Sequence, residues 1–573
     1  MTTFTRMGTA AALLALAACG ERAARDGAGG AAAAGDTPEP GGTVVIAEAA
    51  DLSRPMPLLS ESVTDGHVSG NLMFMSLTGS SWADGRIQFR PYSEENPDAL
   101  ARSWELVGPD SAALRYHLQP GRLWSDGTPI TSRDVVWTYR MLRDPAVASP
   151  QQDYWTQLDS VTAQDDLTVT FWFQRRYPEM LFHSGLGISP AHVFEGSDPA
   201  QLRNHPALRD PAGGRLPVSG PFMIGEWRRG QQVTLVPNPH FPVRPHLERV
   251  VFRFITEPTT RLTELVNGTV DYMRPIPYDQ IPEIRRRGEG QIEFEREEKR
   301  AYDYIGYNPR AFPAFADPEI RRALGLAIDV EGMISAMQMD EWAVPAGGPY
   351  SPIFTRLYDA GEQAPVPFDT VEAKRILESK GWIDRNGDGI REDAQGRPFR
   401  FTLVTNTGNQ RRADAVQIIQ QQWRRVGIDV RLQVLEFNTF QDRSRRKDFE
   451  AILAGWVVAL APDIKTSWSP ESPYNYVSFD DPETIARMDS ALAQPTEEAA
   501  APFWRQAAAM IVADQPYTWL FWFDQVGGRR SRLRGMTVNT YSSYQRPWEW
   551  WIPRSEQRQR GAAADTAPAD TGR

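Results

Sequence analysis

Glu450-Ala-Ile-Leu-Ala-Gly-Trp-Val-Val-Ala-Leu-Ala-Pro-Asp-Ile-Lys-Thr-Ser-Trp-Ser469 opens with an uncharged apolar run, Ala451 to Leu460. Such a run suits a strand buried on both faces of a parallel sheet. A buried helix segment has the same composition, but Gly455 and the β-branched pair Val457–Val458 favour the strand. Pro462 and Asp463 stop it, and Trp468 follows. In open α/β sheets ligands bind beyond the carboxyl ends of the strands. The segment Trp456 to Asp463 is therefore expected in a binding site.

The preceding chain supports this placement. Phe401 to Val404 reads as a strand, and Gln410 to Val426 as a helix with Val416, Ile419, Trp423 and Val426 on one face. Gly427 ends the helix, after which Ile428, Val430, Leu432 and Val434 alternate as a strand. This βαβ unit lays two parallel strands in one sheet, and the Ala451 strand comes next. Further out, Tyr302 to Asn308 alternates as a strand. Asp317-Pro318-Glu319 and Asp369 to Glu372 start helices, Pro502 to Val512 is helical, and Tyr517 to Phe523 is an aromatic strand.

The N-terminal half reads as strands and turns. Thr43 to Ala47 is the first strand, and Leu114 to Leu118 alternates as a half-buried one. Thr131 caps a helix with Asp134 three residues on, and Val161 to Phe173 forms two strands around Asp165-Asp166. Ser219-Gly220-Pro221-Phe222 opens a strand pair closed by Gln232 to Pro239, and Val250 to Ile255 is another strand.

The chain has 573 residues, enough for roughly three or four domains. Its net charge is −11 and no basic stripe is present, which argues against a nucleic-acid partner. The single cysteine is Cys19, after the apolar run Met7 to Ala18. That run is too short for a bilayer core of roughly 30 Å and fits a secretory signal. Residues 19–42 are Ala/Gly-rich with few large apolar side chains, so they read as a flexible tether, and 554–573 as a disordered tail. No Gly-x-Ser-x-Gly elbow or His-Glu-x-x-His helix occurs, and all seven histidines lie at or before His246 without zinc-ligand spacing. The chain is thus expected to be no enzyme. Paired carboxylates leave no local motif, so a secreted glycoside hydrolase is the rival class.

Several blocks, in order, resemble the family 5 extracellular solute-binding proteins of peptide-type ABC importers. These are Leu118-Gln-Pro-Gly-Arg-Leu-Trp-Ser-Asp-Gly-Thr-Pro-Ile-Thr-Ser-Arg-Asp-Val-Val136, Ser219-Gly-Pro-Phe222, Val236-Pro-Asn-Pro239 and Tyr307-Asn-Pro309. Asp317-Pro-Glu-Ile-Arg-Arg-Ala-Leu-Gly-Leu-Ala-Ile-Asp329, Gly381-Trp-Ile-Asp-Arg-Asn-Gly-Asp-Gly-Ile-Arg391 and Gly455-Trp456 complete the set. Leu16-Ala-Ala-Cys19 resembles the bacterial lipobox. The resemblance covers Thr43 to about Pro553 and takes in binders of peptides, nickel and some sugars. It implies an α/β, two-lobed periplasmic-binding-protein clamshell with an additional subdomain on the first lobe. The expected divisions are a signal peptide 1–18, first lobe 43–67, 188–300 and 516–553, added subdomain 68–187, and second lobe 301–515. The expected partners are ABC permease and ATPase subunits, a small-molecule or peptide ligand, and the membrane through lipid on Cys19. The protein is expected to be a monomer in the cell envelope. The same clamshell serving as a receptor without transport is the other alternative.

In peptide-binding members a carboxylate three residues beyond the Gly-Trp tryptophan pairs with the peptide ammonium. Here that position is Ala459, and the nearest acid is Asp463. Either Asp463 takes the role, or the protein does not anchor a free amino terminus. The spacing favours the second, leaving modified peptides, sugars or other small ligands. The ligand-binding candidates are Trp456, Val457, Ala459 and Asp463, with Met73 and Phe74 at the matching edge of the first lobe. Asp384-Arg-Asn-Gly-Asp-Gly389 is the first half of a calcium loop, with Asp384, Asn386 and Asp388 at ligand positions and the Ile390 carbonyl and Glu392 at the seventh and ninth. Its twelfth position is Gln395 instead of Glu, and a solvated Asp/Gly turn explains the same residues. Apart from this structural Ca²⁺ site no cofactor is expected.

Overall fold

The computed structural model describes residues 37–152, 157–288 and 290–557. Cys19, its signal segment, the tether up to residue 36 and the tail from residue 558 lie outside the described residues.

Thr43–Glu48 (β1) is the first strand. Gly79–Ala83 (β2) and Arg86–Arg90 (β3) form a separate hairpin turned at Asp84-Gly85. Ala101–Val107 (β4), Ala113–Leu118 (β5), Leu158–Asp165 (β6) and Thr168–Phe173 (β7) make an antiparallel sheet in the order β4-β5-β7-β6. The helix Ser132–Arg143 lies against β6 and β7. Its first turn is closed by a capping box, the Asp134 carboxylate accepting the Thr131 amide at 2.9 Å.

The other strands join β1 in one mixed sheet. They are Phe222–Arg228 (β8), Gln232–Pro237 (β9), Arg249–Phe254 (β10), Tyr272–Met273 (β11), Ile292–Tyr307 (β12) and Ala343–Pro345 (β13). Arg400–Asn406 (β14), Asp429–Leu435 (β15), Ala451–Val457 (β16) and Tyr517–Arg530 (β17) complete it. The order is β15-β14-β16-β12-β17-β11-β1-β10-β9-β8, with β13 pairing to β17 off this path. The long strands β12 and β17 therefore connect a half built on β14, β15 and β16 to a half built on β1 and β8 to β11. Their register shifts between Glu297 and Ala301 and between Asp303 and Tyr304.

The cores follow this division. One cluster takes Val44, Ile46, Phe252 and the Leu533–Ile552 end together with Met73, Tyr116 and Phe171. Two clusters lie on opposite faces of β16. Ala451 and Leu453 face one of them, Ile452 and Ala454 the other. Alternate residues of a strand point to opposite faces, so this run of apolar residues is buried on both.

The parallel-sheet expectation for this strand needs correction. β16 runs parallel to β14 but antiparallel to β12, pairing Ala451 with Tyr307 through Val457 with Ala301. It also stops at Val457 instead of Leu460. Beyond Ala301 its partner is bulged, so Val458 makes one more bond, to the Arg300 carbonyl, and the chain leaves the sheet. The βαβ reading stands: β14 and β15 are parallel, with the helix Gln410–Arg424 between them. No helix among the described residues is long and apolar enough to cross a membrane.

Candidate functional site

The carboxyl ends of β14 and β16 open onto a cavity of about 570 Å³, lined by Asn406, Gly408, Arg412, Gly455, Trp456 and Tyr476 among others. Its position is the one that open α/β sheets favour for ligands. Gly455 and Trp456 are brought there by β16, and Trp456 lies 5.2 Å from the Tyr476 ring and edge-on to Tyr474 at 5.7 Å. Asn409 caps the following helix, its side chain accepting the Arg412 amide at 3.1 Å, which sets Arg412 at the cavity.

Why position 455 is glycine follows from its cross-strand neighbour, Asp303. A methyl there would overlap the Asp303 carboxylate and come within 2.6 Å of Arg412 Nη2. Asp303 is fully buried and binds two guanidiniums, Arg411 Nε at 2.7 Å and Arg412 Nε at 3.0 Å. Burial opposes its charge, yet the two arginines outweigh it and hold the carboxyl below its usual range. Arg411 also stacks 3.8 Å over the Phe523 ring. Arg412 reaches the Asn406 side-chain oxygen at 2.8 Å. One carboxylate thus faces two cations, which leaves a surplus positive charge at the cavity wall.

A second polar group lies on the chain after β16. Asp463 is partly buried, and its Oδ1 accepts the Lys465 amide at 2.7 Å. Tyr350 fixes the same turn, its hydroxyl donating to the Pro462 carbonyl at 2.6 Å. Facing it from the N-terminal half is Glu179, 5% exposed, with neither carboxylate oxygen hydrogen-bonded. Burial, and after it the Asp463 charge, push the Glu179 carboxyl up to about 8. Burial likewise pushes Asp463 up. These are two acidic side chains from stretches of chain almost three hundred residues apart, and Glu179 holds its proton at neutral pH.

The β2–β3 hairpin also contacts the half built on β14, β15 and β16. Trp82 meets Phe354 edge-on at 5.3 Å, and Arg86 binds Glu498 at 3.1 Å. Glu498 also receives Arg356 at 2.8 Å.

The residues singled out in the sequence divide. Trp456 lines the cavity. Val457 is exposed at the strand end, and Ala459 is exposed in the segment beyond it. Asp463 lies on the chain after β16, and its charge acts on the Glu179 carboxyl. Met73 and Phe74 are packed inside the first core and line no part of the cavity. Trp468 is core, its ring tilted 47° to that of Tyr517 at 4.7 Å. Asp384 and Asp388 cluster with Glu392, while the Asn386 side chain accepts the Asp388 amide at 2.7 Å.

Sequence reasoning missed Asp303, Arg411, Arg412 and Glu179. A signal existed for three of them. Asp303 is a lone acid in an aromatic strand, and Arg411-Arg412 sit in the first turn of a helix, where cations are unfavourable without a partner. Nothing local marks Glu179.

The family profile of the bacterial extracellular solute-binding proteins, family 5 Middle, matches residues 97–476. The chain is 26% identical over 505 residues to the oligopeptide-binding protein AppA of Bacillus subtilis (strain 168), covering 85% of this chain and 91% of that protein. It is 25% identical over 455 residues to the probable D,D-dipeptide-binding periplasmic protein DdpA of Escherichia coli (strain K12), covering 77% and 82%. The solved structure of the Bacillus subtilis protein in complex with a nonapeptide superposes with a TM-score of 0.72 at 25% identity, over 90% of this chain and all of that one. A periplasmic EDTA-binding protein, EppA, shares the fold with a TM-score of 0.76 at 22% identity, over 90% and 97%.

Proposed function

The chain belongs to family 5 of the bacterial extracellular solute-binding proteins, and from that membership we propose that it captures a peptide or peptide-like solute and presents it to the permease and ATPase subunits of an ABC importer. Relatives named as oligopeptide- and dipeptide-binding support the ligand class. So do two sites of opposite character: the acidic side chains of Glu179, which keeps its proton at neutral pH, and Asp463, and the second guanidinium at Asp303. An ammonium beside the two acidic side chains favours their charged forms, and a zwitterionic ligand meets both sites at once. A sugar does neither. On this reading Asp463, with Glu179, takes the ammonium that position 459 has no carboxylate to hold, and Arg412 takes an anionic group. Ligand contacts from both halves then stabilise the closed form over the open one. The protein acts by binding and performs no chemistry on its solute. It works as a monomer, held at the cell envelope by lipid on Cys19.

Native mass spectrometry of the protein purified from its host identifies the bound solute. Calorimetry with one peptide in free-amine and N-acetylated forms then tests the acidic site. The free amine is expected to bind at least about tenfold more tightly, roughly 1.4 kcal/mol, with the difference lost in Glu179→Gln and Asp463→Asn. Equal affinity for both forms in the unaltered protein defeats this assignment. Cys19→Ser is expected to release the protein from membranes, and a variant that stays wholly membrane-bound counts against the lipid.

A further inference from the structure

We propose that the loop from Asp384 to Glu392 is a calcium site in which Asp384, Asp388 and Glu392 are the carboxylate ligands. Three observations converge on it. A carboxylate oxygen of each residue lies within 4.8 Å of the others. Glu392 is 4% exposed, and its Oε1 has no hydrogen-bond partner. Its other oxygen accepts the Arg385 amide at 2.9 Å, so the side chain is held with one buried oxygen left over. An unpaired carboxylate oxygen away from water is unfavourable, and two more carboxylates beside it make it worse.

The neighbouring cations are engaged elsewhere. Arg391 binds Glu378 at 3.0 Å and the Val426 carbonyl at 2.8 Å, and Arg397 binds Asp393 at 2.6 Å. Arg385 directs its guanidinium to the carbonyls of Gly381 and Asp393. A small dication among the three carboxylates relieves their repulsion and gives Glu392 Oε1 a partner.

The loop also selects among cations. Its donors are all oxygen, which suits a hard ion. Gly389 at the sixth position has φ of +83°, the turn that lets the Ile390 carbonyl follow as the seventh ligand. Backbone amides of Gly387 and Gly389 hold the Asp384 carboxylate at 2.7 and 3.0 Å and orient it. Glu392 is fixed by its paired bonds with Ile383, both 3.0 Å. Gln395 stands where a bidentate glutamate completes the tighter loops, so the affinity belongs in the weak range found in extracellular modules, about 10⁻⁴ to 10⁻³ M.

The site's place in the fold separates it from solute binding. The loop enters β14 at its amino end, Arg400, whereas the cavity lies at the carboxyl end, Asn406. Bound calcium therefore clips the end of the helix Thr370–Ser379 to the β14 strand and stabilises this half without touching the solute.

The test uses the full chain, treated with chelator and desalted, with Ca²⁺ alone as the probe. Calorimetry is expected to give one site in that range, and 10 mM Ca²⁺ to raise the unfolding midpoint by several degrees. Mg²⁺ at the same concentration is expected to raise it much less, because it demands octahedral geometry and dehydrates reluctantly. Glu392→Gln and the exposed Asp388→Asn should each weaken binding at least tenfold. If Glu392→Gln fails to fold, Asp388→Asn decides alone. No heat and no shift with Ca²⁺, an equal shift with Mg²⁺, or unchanged binding in Asp388→Asn overturns the proposal.

Discussion

Gly455 and Glu179 show how much one side chain decides here. At 455 the absent methyl is what lets Asp303 meet both arginines. Gly455→Ala is expected to break that cluster and destabilise the protein by about 3–5 kcal/mol, the usual result of stranding a buried charge. A urea midpoint within a few tenths molar of the unaltered protein refutes it. Glu179 has the opposite sign. Its ordinary value of 4.5 rises to about 8 in the folded protein, so the folded state holds a proton that the unfolded chain has released between those values. Stability of the ligand-free protein should therefore fall as pH rises from about 4.5 to 8, and Glu179→Gln should flatten that slope. Denaturation midpoints across pH 5 to 8 measure it; parallel profiles in the two proteins defeat the prediction. Asp303 works the other way. Its depressed value gives stability that is present above the unfolded carboxylate range and lost only as pH falls below it.

At the scale of elements, what was legible depended on whether local pattern and tertiary context agreed. The βαβ unit was plain because the helix Gln410–Arg424 buries Val416, Ile419 and Trp423 at helical spacing, and β15 follows at once. Only half of β12 was visible. Residues 292–300, Ile-Glu-Phe-Glu-Arg-Glu-Glu-Lys-Arg, look like a charged surface segment. Yet they are a strand, because β17 meets them with Arg529, bonded to Glu295 at 2.8 Å and to Glu293. Cross-strand ion pairs of this kind are invisible until the partner is known. The helix expected from Pro502 begins at Glu497, with Thr496 as its cap, and carries the proline inside. The β2–β3 hairpin offers an element-level test. Gly85 has φ of +71°, and a Cβ there would overlap Thr355 Oγ1 and stand 2.6 Å from its amide. Gly85→Val is expected to undock the hairpin and reduce solute affinity about tenfold with little change in unfolding midpoint. Unchanged affinity by calorimetry refutes the link.

Across the whole molecule, β12 and β17 are the continuous threads between the two halves, and their pairing shifts register between Glu297 and Ala301 and between Asp303 and Tyr304. Breaking the hairpin contacts through Arg86→Ala with Trp82→Ala should enlarge the radius of gyration in solution scattering, and solute should reverse it. An unchanged scattering curve would remove the hairpin from the closing mechanism. The amino-acid sequence by itself determined the α/β class, the order of most elements, the Gly455-Trp456 strand end and the ordered family blocks, because helix and strand periodicity, caps and turn residues act over a few residues. Tertiary structure alone decided that β16 lies in a mixed sheet, that Met73 and Phe74 are core, and that Glu179 faces Asp463. Strand direction, burial and the meeting of charges are set by segments hundreds of residues apart, and no local pattern records which of them will touch.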